Sequence, residues 1–323
     1  MLNSAPDTAA CPVCGEALAA AGREYSVDEL FELWRPVEFT RETLEAHRVQ
    51  AIGTRPFRCS GCGLETFLPQ IIGTPAFYVE AYNLAHSQTV STFTYSDDKW
   101  EYGRAIADAT GCRRAFEFGC GNGTFLDRLR RHVPEVAGLE YNPVALDSAR
   151  ARGLKVYGPR DAPPAYGGGW DAVFSFHVLE HAADPVALVR QMAGMVKPGG
   201  IIGLSVPNQD GPIRFIDPCV MNMPPHHATR WRLSSFEALA RRLQLDIRDV
   251  AYEPLLLENH GYYSVHWVRH AIPGRSVFAA ACRQLLSWPL RLFFGGLRRI
   301  GIEYFPALKG QSIYVLLSTP GSA

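Results

Sequence analysis

The chain is 323 residues long, enough for one α/β domain and a smaller module. Lysine plus arginine and aspartate plus glutamate stand at 32 each, which excludes a global positive field of the kind that recruits nucleic acid. The first eight residues lack the basic and apolar regions of a secretion signal, no uncharged apolar run reaches about 18 residues, and the eight cysteines read as reduced thiols, so a cytoplasmic protein is expected.

Cys11-Pro-Val-Cys14-Gly15 and Cys59-Ser-Gly-Cys62-Gly63 are two C-x-x-C knuckles, each followed directly by glycine. That spacing brings two sulfurs to one ion, and the glycine allows a tight turn in which backbone N–H groups face the thiolates. Two knuckles predict a closed four-cysteine site for structural zinc, with Cys11, Cys14, Cys59 and Cys62 as ligands. The 44 intervening residues hold a capping box, Ser26 with Glu29, ahead of Leu30, Phe31 and Trp34, and a second helical stretch over 41–50. A zinc-binding module with a helical insertion is therefore expected over 1–75. Cys112, Cys120, Cys219 and Cys282 lack partner spacing and read as core or turn residues.

A linker over 76–110 follows, with helical patterns at 76–83 and 97–109 and an aromatic cluster of Phe77, Tyr78, Tyr82, Phe93, Tyr95, Trp100 and Tyr102. A packed seam between module and main domain is one reading; Tyr82 or Tyr95 lining a pocket is the other.

From residue 113 the order is an apolar run, the turn Glu117-Phe-Gly-Cys-Gly-Asn-Gly123, and an amphipathic helix. Glycines at 119, 121 and 123 let the backbone bend sharply and approach a ligand with no Cβ in the way. Twenty-one residues after Gly119, the next apolar run ends in Glu140, placed to accept hydrogen bonds from both hydroxyls of an adenosine ribose. The third glycine of a dinucleotide fingerprint would fall at position 124, which is Thr124; this argues against a dehydrogenase. Trp170-Asp-Ala-Val-Phe-Ser-Phe176 reads as a buried strand running into His177-Val-Leu-Glu-His181. Asp184 and Pro185 start a helix reaching about Val196, and Lys197-Pro-Gly-Gly200 leads to another strand over 201–206, closed by Pro207-Asn208.

Taken together, E-F-G-C-G-N-G, the acid at 140, W-D-A-V-F-S-F-H-V-L-E-H and V-K-P-G-G followed by V-P-N resemble the class I S-adenosylmethionine-dependent methyltransferases, over about residues 111–256 and the last strand near 312–318. The resemblance implies a Rossmann-like, doubly wound sheet of seven strands over 111–323. It also implies S-adenosyl-L-methionine as cofactor, held by Glu117, Gly119, Gly121, Gly123, Glu140, Tyr141, Asp161 and His177.

Methyl transfer from a sulfonium is an in-line displacement, so the protein must align donor and acceptor, exclude water and remove the acceptor's proton. A base belongs beyond the cofactor, at the carboxyl ends of the strands. His181 lies one turn past His177, and a long loop over 209–230 carries two prolines ahead of His226 and His227. His181, His226 and His227 are the catalytic candidates.

The knuckle pair, aromatic linker and proline–histidine loop are together similar to methyltransferases of bacterial deoxysugar and polysaccharide pathways. This implies O- or C-methylation of a small molecule, a sugar or glycoconjugate precursor. Two alternatives are a non-catalytic S-adenosylmethionine-binding protein and an RNA-base methyltransferase with a zinc module. Against the latter stand the neutral charge and a strand end lacking Asn/Asp-Pro-Pro-Tyr.

Strands are expected at 245–255 and 311–318, with a helical insertion over 257–310 that carries seven basic and two acidic residues. Pro289 should divide its long apolar stretch into two helices. The readings for 275–299 are a lid, a homodimer surface, or a helix lying peripherally in a membrane interface and serving a lipid-linked acceptor.

Overall fold

The computed structural model describes residues 9–86, 99–161, 168–216, 218–257, 260–274 and 276–321. Phe93 and Tyr95, named above as seam or pocket residues, lie outside the described residues.

The chain begins with β1 (Leu18–Ala20), β2 (Tyr25–Ser26), α1 (Val27–Trp34), α2 (Arg41–Glu45), β3 (Gly53–Cys59) and β4 (Glu65–Leu68). The capping box forms as expected. Ser26 Oγ accepts from the Glu29 N–H at 3.2 Å, and the Glu29 carboxylate accepts from the Ser26 N–H at 2.8 Å. Val27, Leu30 and Trp34, on one face of α1, are buried. The stretch between the knuckles is thus not only helical, since β1 and β4 flank β3 in an antiparallel sheet and β2 pairs with its start.

Helices α3 (Pro75–His86) and α4 (Trp100–Asp108) lead into the main sheet. Its elements are β5 (Arg114–Phe118), α5 (Thr124–Leu129), β6 (Glu135–Leu139), α6 (Pro143–Ala151), β7 (Lys155–Tyr157), β8 (Trp170–Phe176), α7 (Pro185–Met195) and β9 (Val196–Pro207). They are followed by β10 (Thr229–Arg230), α8 (Leu233–Leu243), β11 (Asp246–Leu256), α9 (His260–Ala271), α10 (Val277–Arg299) and β12 (Tyr304–Ser318). The strand order is β11-β12-β9-β8-β5-β6-β7, with β12 antiparallel to both neighbours and the other pairs parallel. Strand order reverses direction between β5 and β8. Open α/β sheets bind ligands at the carboxyl ends beside such a reversal. The inner strands are apolar along their length because helices cover both faces: Ala172, Val173 and Phe174 of β8 are fully buried.

Three expectations need correction. The sheet of the cysteine module takes in a strand from beyond residues 1–75: β10, from the loop after β9, pairs antiparallel with β4 as its outer strand, in the register Thr229↔Thr66 and Arg230↔Glu65. Cys11, Cys59, Cys62 and Leu64 share one buried cluster with Trp231, Phe236 and Leu239 of the main domain. Second, Pro289 does not divide α10, which runs unbroken from Val277 to Arg299. The proline removes one backbone bond, to the Leu285 carbonyl, on a face where Leu285 is exposed and water can replace it. Third, β12 begins at Tyr304 rather than 311 and pairs with β11 as far as Leu256↔Tyr304, so the helical insertion ends before 304. No helix among the described residues is long and apolar enough to cross a membrane.

Candidate functional site

The glycine turn sits on the end of β5. Gly119, Gly121 and Gly123 all have positive φ, at 69°, 54° and 81°. A Cβ at Gly119 would stand 2.4 Å from Val178, and one at Gly123 2.3 Å from Leu154, so both positions require glycine on conformational and packing grounds. Glu140, at the end of β6, lies against this turn. Its two oxygens accept from the Gly121 N–H at 2.8 Å and the Asn142 N–H at 2.7 Å. Burial nonetheless pushes its pKa above the usual carboxylate range.

Glu117, inside the end of β5, is 2% exposed, and its Oε2 accepts no hydrogen bond. Burial drives its pKa well up. That oxygen, beneath the glycine turn, is a buried acceptor left without a donor. Tyr141 is largely exposed beside Glu140. Asp161, beyond β7, closes its own turn, accepting from the Gly158 N–H at 2.5 Å and from Arg150 at 3.3 Å.

At the end of the neighbouring strand, His177 follows β8 in left-handed backbone conformation, φ 56°. Its Nε2 donates to Glu101 Oε1 at 2.9 Å, and its Nδ1 lies 3.4 Å from Glu180 Oε1. Burial opposes charge on this ring, but the two carboxylates of Glu101 and Glu180 prevail and raise its pKa to about 9. The turn Leu179–His181 then delivers His181, while Asp184, not His181, caps α7.

The three catalytic candidates meet. The ring centroids of His181, His226 and His227 are 4.5–4.9 Å apart. The His226 carbonyl accepts from His181 Nδ1 at 2.5 Å and from Tyr78 O–H at 3.2 Å. His227 Nδ1 donates to Asn222 Oδ1 at 2.9 Å, whose own amide donates to Gln209 at 3.1 Å. Burial, reinforced by the neighbouring histidines, holds both His226 and His227 well below the usual imidazole pKa, so both are neutral.

This loop is anchored in the cysteine module. Trp34 donates to the Pro224 carbonyl at 2.7 Å, and the Phe67 N–H donates to the Ala228 carbonyl at 3.2 Å. Glu65, 3% exposed, takes Arg58 at 2.6 Å, Arg232 at 3.2 Å and Arg230 at 3.3 Å. Ser234 and Ser235 donate to the Cys62 carbonyl. The four cysteine sulfurs lie within 4.8 Å of one another, with Cys14 and Cys59 at 3.2 Å and Cys11 and Cys62 at 3.6 Å, a set able to hold one ion.

The family described as a methyltransferase domain matches residues 61–250, more than half of the chain. The chain belongs to this methyltransferase family. Its seven-stranded sheet and glycine turn form a class I S-adenosylmethionine-dependent methyltransferase domain. A ubiquinone biosynthesis O-methyltransferase from Xanthomonas oryzae pv. oryzae is 32% identical over 117 residues, 34% of this chain and 48% of that protein. One from Marinobacter nauticus is 27% identical over 165 residues, 44% of this chain and 69% of that protein. The chain thus spans about half the length of the first of these relatives. A solved S-adenosylmethionine-dependent methyltransferase from Archaeoglobus fulgidus aligns with TM-score 0.43 and 17% identity, covering 76% of this chain and 95% of that one.

Four residues in contact with the candidate histidines escape sequence reasoning: Tyr78, Glu101, Glu180 and Asn222. Glu101 left a trace, since it shares the apolar stripe of α4 with Tyr102 and Ala105. Glu180 lies between His177 and His181, where neither spacing nor periodicity marks its burial. For Tyr78 and Asn222 no local signal distinguishes them.

Proposed function

We propose that this chain transfers the methyl group of S-adenosylmethionine to a small hydroxylated molecule. The observation that carries the reading is the pairing, at one end of one sheet, of a buried unpartnered carboxyl under a glycine turn with a cluster of three histidines. Glu117, Gly119, Gly121, Gly123, Glu140, Tyr141, Asp161 and His177 would hold the cofactor, which when bound supplies an electrophilic methyl group on a sulfonium. His177 is kept charged by Glu101 and Glu180 and therefore positions rather than accepts a proton. His181, His226 and His227 face the acceptor and manage its proton, with Asn222 and the His226 carbonyl fixing ring orientation. Trp34, Phe77 and Tyr78 wall this pocket against water.

For the acceptor, the proline–histidine loop beside a cysteine module supports a sugar or glycoconjugate precursor. The names of the curated relatives support an oxygen as the atom methylated. The cysteine cluster we assign to structural zinc. The test is incubation with isotopically methyl-labelled S-adenosylmethionine and a panel of sugars, nucleotide sugars and hydroxylated aromatics, with mass spectrometry of products. A labelled product identifies the class. Cofactor binding without any labelled product, across the panel and a whole metabolite extract, would support the non-catalytic alternative.

A further inference from the structure

Glu180 is 1% exposed, and neither of its oxygens accepts a well-formed hydrogen bond; His177 Nδ1 approaches Oε1 only to 3.4 Å. A buried carboxylate is costly unless donors or a cation compensate it. The same Oε1 stands 4.0 Å from Nε2 of His181 and 4.0 Å from Nε2 of His227. Both rings have Nδ1 bound to oxygens that can only accept, the His226 carbonyl and Asn222 Oδ1; the Asn222 amide nitrogen is committed to Gln209. Their Nδ1 atoms therefore carry the protons, and a neutral ring of that tautomer presents its Nε2 lone pair. The Nε2 atoms of His181 and His227 thus converge on one carboxylate oxygen, with His226 stacked against His227 beside them.

One nitrogen from each of His181, His226 and His227 lies within 4.8 Å of the others. Tetrahedral ligands at about 2.0–2.1 Å from zinc stand roughly 3.3 Å apart, so small side-chain rotations close this set on an ion. The His181 side chain is 18% exposed, which leaves one side open for entry and for a further ligand. Oriented imidazoles with a carboxylate are the donor set of zinc and neighbouring first-row divalent ions.

We propose that His181, His226, His227 and Glu180 form a second metal site, for a divalent first-row transition ion, distinct from the four-cysteine cluster. The proposal deepens the function given above and rests on it. Here the histidines act on the acceptor's proton as ligands of the cation rather than as its acceptors: the cation lowers the pKa of an acceptor hydroxyl held against it, the O–H proton passes to water, and the oxygen is left ready for methyl transfer.

The test uses the full chain, stripped of metal and titrated with Co2+, with cobalt counted per chain after desalting. Two ions are expected. One gives the intense sulfur-to-metal absorption of a thiolate site; the other gives only weak d–d bands. His227→Ala should lose the second ion and keep the thiolate absorption. Glu180→Gln, which preserves shape, should weaken the second ion at least about ten-fold, and Asn222→Ala about 10–100-fold. A single cobalt with only the thiolate spectrum overturns the proposal, as does a second ion that binds all three variants unchanged. Titration with S-adenosylhomocysteine on the same samples separates the two readings. Cofactor binding without a second cobalt leaves methyl transfer standing and removes the metal site; two cobalts without cofactor binding do the reverse.

Discussion

The two halves of the proposed site are built differently. The half proposed for the cofactor comes from one continuous stretch, the turn after β5 and the end of β6, and its key contacts join residues about twenty positions apart, Gly121 with Glu140. The half proposed for the acceptor is assembled from distant segments. His177 meets Glu101, His181 meets His226, and Trp34 holds Pro224 from 190 residues away. A half made from one βα repeat depends on backbone geometry alone, whereas a half made from four segments depends on the packing that brings them together. Damage to the cysteine module should therefore reach the acceptor half and spare the cofactor half.

The sharpest way to separate the halves is through the histidines. His227→Ala should lower turnover about 10²–10⁴-fold with unchanged S-adenosylhomocysteine affinity. A parallel loss of cofactor affinity would show that the halves are not independent. On the other side, Glu140→Ala should cost about 2–4 kcal/mol of cofactor binding, read by isothermal titration, while leaving the histidine cluster intact. Unchanged affinity would remove Glu140 from the site.

Glu117 tests whether the cofactor half sacrifices stability for binding. Its folded-state pKa is raised by burial, so ionisation favours the unfolded chain, and the stability associated with the neutral acid is lost as pH rises above its ordinary value of 4.5. Glu117→Gln should raise the Tm of the cofactor-free protein at pH 8 by about 2–4 °C, with a smaller gain at pH 5, and should weaken cofactor binding. A lower Tm at pH 8 would mean that the carboxylate is stabilised in the fold.

The smallest expected effect concerns the insertion. From His260 to Ile302 there are six arginines and no acid. On α10, Val277, Phe278, Leu285 and Trp288 are all more than half exposed. We propose that this face rests on an anionic lipid surface. Weak sedimentation with anionic liposomes is expected, decreasing as salt rises. A supernatant protein that forms a dimer dissociated by Trp288→Asp would assign the face to a second copy instead.

Legibility in the sequence follows the same division. The glycine turn and Glu140 could be read because backbone conformation dictates residue type locally: positive φ at three positions admits little but glycine. The knuckles could be read because metal ligation dictates spacing. The histidines were visible as candidates, but their convergence was not, since it depends on a loop of more than twenty residues folding back over β8. Glu101 becomes a partner of His177 only when α4 packs against β9, where Ser205 also reaches it at 3.3 Å. Strand β10 is hidden because two residues carry no periodicity, and the continuity of α10 through Pro289 is hidden because a proline's cost depends on whether water can reach the carbonyl it deprives.

The two-residue ladder between β4 and β10 has a thermodynamic consequence. It joins the polypeptide just past the second cysteine knuckle to the polypeptide just past His226 and His227, so ordering one segment lowers the entropy cost of ordering the other. Binding free energies coupled through a shared ordered segment are reciprocal. If zinc at the cysteines tightens acceptor binding by some factor, acceptor must tighten zinc by that same factor. Metal release from the cysteine cluster, followed with a chromogenic chelator, then becomes a reporter of acceptor occupancy that requires no methyl transfer at all.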